Sequence, residues 1–373
     1  MLRFARSNTQ MLRVLGNSNQ AARTKCAIES KPNKTHTTRS TRQFPRATNL
    51  ARAGGAMLPR RIEDYRTLLW VLVFSPGLVA LHYCYPEYGW QLLPLSCYFA
   101  IACGVIAHNH MHRPTLSHRG ANWLLGNCIS VFYGYPIFAW LPTHNLNHHK
   151  LVNRPGDATI TWRYTNKHNV WVAATYFFVS AYFQTAWIKD YIRDARRNKP
   201  RTFRRIVAQY VITYGTHAGL IALAIALHGT GRGLLIWATA LGIPAFGALW
   251  TIMLFNYCQH VHTDAWSATN HSRNFEGRLL NFLLFGNGFH TIHHDKPSLH
   301  WADAAREHAK IRAHIDPRLN EVSMLWFFLR QYLLAPLFPQ LGTVQIGRAP
   351  FDPPLEETSP KAATLEVAAS TRA

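Results

Sequence analysis

Long apolar runs alternate along this chain with polar stretches that carry histidine. Four runs, near residues 67–83, 91–107, 210–227 and 234–255, are each long enough to cross about 30 Å of hydrocarbon as a helix. The turn Cys84-Tyr-Pro-Glu-Tyr-Gly joins the first two and His228-Gly-Thr-Gly-Arg-Gly joins the last two, so each pair reads as a hairpin. Two further apolar stretches are of another kind. Residues 123–141 are interrupted by Gly126, Gly134 and Pro136 and read as interfacial or re-entrant. Residues 170–188 have the length to cross, yet crossing would put the histidine stretches before and after them on opposite membrane faces. Their Tyr, Phe and Trp content suits a helix lying in the interface. Residues 324–338 are amphipathic. The pattern predicts an all-α polytopic membrane protein with four transmembrane helices, interfacial helices and a histidine-rich cap.

Residues 1–56 break this pattern: eleven Lys/Arg stand against one acid, Glu29, with no apolar run. They read as a disordered basic tail, either a transit segment or an extension from an upstream start ahead of Met57. The membrane domain is expected over 57–340 and a disordered C-terminal tail over 341–373.

Composition agrees with a membrane protein. Of 373 residues, 48% are hydrophobic and 16% charged, against about 25% charged in soluble proteins. The net charge of +22 would suggest nucleic acid in a soluble chain. Here the basic residues fall between the apolar runs and in the tail, so topology and anionic lipid account for them and no nucleic acid is expected. Residues 189–205 hold eight Lys/Arg and two Asp, whereas the turn after the first run carries only Glu87. That asymmetry orients both termini and all histidine clusters to the cytoplasmic side. The six cysteines include no Cys-x-x-Cys pair, which excludes a zinc ribbon read from spacing.

The candidate chemistry lies in four clusters: His108-Asn-His-Met-His112, His144-Asn-Leu-Asn-His148-His149, Asn256-Tyr-Cys-Gln-His260 and His290-Thr-Ile-His293-His294. On a helix, residues four apart share a face, which pairs His108 with His112, His144 with His148, Asn256 with His260 and His290 with His294. Neutral imidazole is a ligand for iron, zinc, copper or nickel. Nine histidines exceed the four that a tetrahedral zinc needs, so two metals on one membrane face is the economical reading. Asn256 is a candidate water-holder or weak ligand one turn from His260. His110 points away from the first pair. His118, His262, His300 and His308 are candidates for roles near the metals, and Asp157, Asp264 and Asp295 for accepting a ligand's second ring N–H. A membrane zinc hydrolase would need fewer imidazoles, and a metal transporter would place its ligands at the bilayer midplane.

The order and spacing of these boxes resemble the membrane fatty acid desaturase superfamily over roughly residues 65–310. The three histidine boxes correspond to His108-x-x-x-His112, His144-x-x-x-His148-His149 and His290-x-x-His293-His294, and Asn256-x-x-x-His260 looks like the additional ligand motif after the fourth span. Many acyl desaturases have two residues, not three, before the doublet of the second box. The resemblance implies a non-haem di-iron centre, two Fe ions held by His108, His112, His144, His148, His149, His260, His290, His293 and His294 with Asn256 nearby. It implies dioxygen as co-substrate, two external electrons, and a fatty acyl substrate, as lipid or thioester, entering from the bilayer. Desaturation is the expected reaction, with a hydroxylase or ketolase acting on a lipid, carotenoid or alkane as the alternative. The chain carries no haem, iron–sulfur or dinucleotide motif, so a separate ferredoxin-like or cytochrome donor is expected.

Overall fold

A computed structural model describes residues 58–352; the expected basic tail and residues 353–373 lie outside the described residues. The helices follow in the order α1 (Asp64–Cys84), α2 (Pro86–His112), α3 (Arg119–Tyr133), α4 (Ile137–Leu151), α5 (Val170–Asn198), α6 (Pro200–His228) and α7 (Thr230–His260). Short ones follow, among them α8 (Arg278–Leu283), α9 (His290–Asp295), α10 (Ala304–Ile311) and α11 (Met324–Phe328). Among the described residues the only strands are Asn274–Phe275 and Asn320–Glu321, which pair in parallel.

Four helices, α1, α2, α6 and α7, are long and apolar enough to cross a membrane, and they contain the four expected runs. The α5 helix, 29 residues long, is not among them. The helical state continues through the basic stretch to Asn198, and α6 begins at Pro200, so the polar link is itself helix. The stretch 123–141 breaks where its Gly and Pro fall. Gly134 takes φ +82°, and a Cβ there would lie 2.3 Å from that of Ala245. This turn bends α3 against α4 by 99°. Gln209 on α6 accepts the Phe138 N–H at 2.9 Å and holds the corner.

The core forms between α2 and α7. Lipid gives apolar side chains no reason to leave it for each other, so close packing must hold such helices together. Ala100, Cys103, Gly104 and Ala107 on α2 and Ala248 and Ile252 on α7 are buried in the same cluster or contact. A Cβ on Gly104 would stand 2.9 Å from Ile252, so only glycine permits this approach. At the end of α7 the last carbonyls lack helical partners. The buried Arg273 guanidinium donates to those of Cys258 at 2.6 Å and Val261 at 3.1 Å.

The C-terminal boundary moves relative to the sequence reading. Residues 341–352 were expected in the tail, but Thr343 N–H donates to Gln331, Ile346 N–H donates to the His262 carbonyl, and Ile346 is buried. A single buried isoleucine between polar neighbours has no periodicity that would mark it in sequence.

Candidate metal centre

Each histidine box sits at the end of a rigid element. His108 and His112 occupy the last turn of α2, and His260 ends α7. His290, His293 and His294 lie on α9, which is only 6 residues long. The second box lies in α4 on a π-helical segment, Leu141–His148, where the His149 N–H reaches back to the carbonyl of His144. That wider winding aligns residues five apart, not four.

The nine histidines come together as two groups. His108, His112, His144, His149 and His293 form one; His148, His260, His290 and His294 form the other. Within each, one nitrogen per ring lies within 4.8 Å of all the rest. In the first, the Nε2 atoms of His108, His144, His149 and His293 make a closed quadrilateral with sides of 2.9, 3.0, 2.9 and 2.9 Å. In the second, His260, His290 and His294 form a triangle with sides of 2.9, 3.1 and 3.2 Å, and His148 lies 3.1 Å from His260. The groups adjoin: the rings of His149 and His294 are 4.5 Å apart between centroids. The expected pairs His108/His112 and His290/His294 share a group. The expected pair His144/His148 is divided, because the π winding sets His144 beside His149 instead. Both doublets are divided as well, one ring to each group.

These nitrogens fit a metal better than they fit one another. A ring nitrogen has either an N–H or a lone pair, pointing one way in the ring plane. Each corner of the quadrilateral has two neighbours at hydrogen-bond distance and can serve only one. The buried Nε2 of His112 has no hydrogen-bond partner at all. Imidazole nitrogens bond such a metal at about 2.1 Å, so ligands at right angles lie about 3.0 Å apart and tetrahedral ones about 3.4 Å. The observed spacings, 2.9 to 3.2 Å, bring the nitrogens of each group close enough to share one ion.

The other ring nitrogens of His148 and His260 support this direction. His148 Nδ1 donates to Asp157 at 2.8 Å, and His260 Nδ1 donates to the His271 carbonyl at 3.1 Å. Both bonds fix the tautomer that leaves Nε2 free to ligate. Burial alone would raise the Asp157 pKa, but His148 and the hydroxyl and N–H of Thr159 outweigh it and hold the carboxyl below its ordinary range. Burial, and then the neighbouring imidazoles, hold His290, His293 and His294 well below the ordinary value of 6.5. These three rings are therefore neutral and can ligate.

Both groups face one cavity of about 310 Å³. His108 and His144 of the first group and His148 and His290 of the second line it. Its other walls are mainly apolar: Tyr133 and Trp140, Phe177, Ala181 and Ile188 of α5, and Leu249, Ile252 and Met253 of α7. Asn256 is on this wall too, and its amide donates to the Tyr176 hydroxyl at 2.8 Å.

The remaining candidates lie outside the two groups. His110 contacts Thr115, His118 caps α3 by accepting from Ala121 N–H, and His262 contacts Thr343. His300 pairs with Asp64 and His308 with Glu276. Asp264 accepts from Trp266 N–H, and Asp295 lies 3.5 Å from His271. Of the three acids only Asp157 meets a clustered histidine. Sequence reasoning missed Thr159 and the His271 carbonyl behind the rings, and Gln184 and Gln259 in the cavity. A main-chain acceptor has no signature, Gln184 stands in an apolar stretch without a spacing that marks it, and Gln259 stands inside the third cluster at a position that helical spacing pairs with none of its histidines.

A family model described as Fatty acid desaturase matches residues 88–335. No curated protein and no solved structure matches the chain.

Proposed function

The chain belongs to the fatty acid desaturase family, and on that premise we propose that it is a non-haem di-iron oxidase using dioxygen and two electrons to desaturate a fatty acyl chain, as lipid or thioester. The observation that carries this reading is the pair of adjoining histidine groups opening on one mainly apolar cavity. A di-iron pair, when bound, supplies the activation of dioxygen for attack on an unactivated C–H bond. The residues present supply placement. His108, His112, His144, His149 and His293 would hold one ion, and His148, His260, His290 and His294 the other. Phe177, Ala181, Ile188, Leu249 and Ile252 form walls that suit methylenes and exclude water. Held there, one C–H pair is presented repeatedly in one geometry, which selects the carbon attacked. Asp157 keeps His148 in its ligating tautomer throughout.

In this reading the boxes lie on the cytoplasmic face, since 189–205 is strongly basic. Electrons come from a separate acidic donor, ferredoxin-like or cytochrome. Expression in a host of known lipid content, followed by mass analysis, tests the assignment. A product two hydrogens lighter supports desaturation. One oxygen heavier gives the hydroxylase alternative, and unchanged lipids with an iron-loaded protein would remove the reading for those substrates.

A further inference from the structure

Oxidation of either kind consumes protons. Desaturation converts a CH–CH pair, O₂, two electrons and two protons to an alkene and two waters. Hydroxylation converts C–H, O₂, two electrons and two protons to an alcohol and one water. A cavity filled by an acyl chain is a poor route for those protons. We propose that they enter by a separate path through the buried pair Asp64 and His300; this rests on the oxidase reading.

Asp64 and His300 are 4% and 3% exposed, and His300 Nε2 lies 3.0 Å from Asp64 Oδ1. His300 Nδ1 accepts the Ala302 N–H at 3.2 Å, so the neutral ring carries its proton on Nε2 and donates it to Asp64. An ionisable pair buried at the end of a membrane helix is costly unless it serves a purpose, and proton relays are a recurrent one. Outward from the pair stand Glu63 and Asp303, both joined to Arg61 and both within electrostatic range of His300. Inward lies a cavity of about 20 Å³, lined by Asp64, His300, Thr67, Thr115, Arg113 and Asn109. Next to it lies another of about 30 Å³, lined by Asn109, His108, His290, His293 and Lys296. Each has room for one water. Asn109 borders both, so a carboxylate at one end and the metal-facing histidines at the other are separated by two water-sized spaces. His110 on α2 and Arg113 just beyond its end are the other titratable groups that face Asp64.

In this path Asp64 takes a proton from the His300 side and releases it inward to the first space. The surface carboxylates Glu63 and Asp303 reload the pair. None of these side chains holds metal, and none lines the acyl cavity.

The test uses the iron-loaded enzyme with its reductant and an acyl substrate, comparing D64N and H300Q with the wild type. Both should lose about tenfold or more in kcat, the scale on which positioned proton transfer acts. KM, iron content and melting temperature should stay near wild type. The solvent deuterium effect on kcat should grow, and kcat of D64N should rise as pH falls while the wild type stays flatter. D64E should recover most of the loss. Should D64N fail to fold, Asn109→Leu blocks the junction of the two spaces without touching the pair and carries the same expectation. Wild-type kcat and isotope effect in both variants would overturn the path. So would a loss of kcat that tracks lower iron and melting temperature with an unchanged isotope effect, since that is what a mere brace between α1 and the residue-300 loop would give. A wild type without dioxygen-dependent turnover removes the oxidase reading itself, and the path falls with it.

Discussion

His144 and His148 stand four residues apart and belong to different groups, while His144 and His149, five apart, touch at 3.0 Å. That these nine histidines would gather was legible from spacing beside apolar runs. Their division was not, because α-helical periodicity was assumed for a segment that is π-helical. Asp157 was legible as an acid near a box; the carbonyl of His271 was not, since every residue has one. Replacing His148 or His293 with alanine should abolish product while leaving the protein inserted, and full activity in either variant would remove that ring from the centre. The rings on α9 also set a pH dependence. In the fold His290, His293 and His294 stay neutral well below 6.5, whereas in the unfolded chain each takes a proton near that value. Below it the unfolded chain binds more protons, so metal-free protein should lose stability as pH falls below about 6.5 and change little above it. Melting curves of metal-free protein across that range check the sign, and a variant with all three replaced by glutamine should show a weaker dependence.

Among the elements, the four spans were legible because twenty-residue apolar runs have one solution in a bilayer. The bend at Gly134 was signalled by its glycine and proline. The π segment was signalled only indirectly, by three residues before the doublet where many relatives of the family pattern have two. Four residues of α-helix turn through about 400°, and five residues of the wider π winding turn through nearly the same angle. The extra residue is thus absorbed with the rings kept on one face. This gives an element-level prediction. Leu146 is 53% exposed, so deleting it removes little packing. The shortened segment should wind as plain α-helix, keep His144 beside the former His149, and retain bound iron. Inserting one alanine after Leu146 should instead rotate the doublet away and lose the metal, as measured by iron per protein. Iron retention by the insertion and loss by the deletion would refute this account of the winding.

Across the whole molecule, positive charge is concentrated at the junction of α5 and α6, where Lys189 and Arg193 follow directly on the cavity residue Ile188. The field of such a surface would speed the approach of an acidic electron donor. Raising salt shortens the reach of that field, so kcat/KM for the donor should fall as ionic strength rises while kcat/KM for the acyl substrate changes little. Turnover indifferent to salt would remove the steering. The division of the doublets has a further effect at this scale. His148 is bonded to His149 and His293 to His294, yet in each doublet one ring lies in the first histidine group and its neighbour in the second. Seating an ion in one group would therefore order two rings of the other before a second ion arrives, and the entropy of that ordering is spent only once. Loading should be cooperative: titrating metal into the empty protein should populate the empty and doubly filled forms, with the singly filled form scarce.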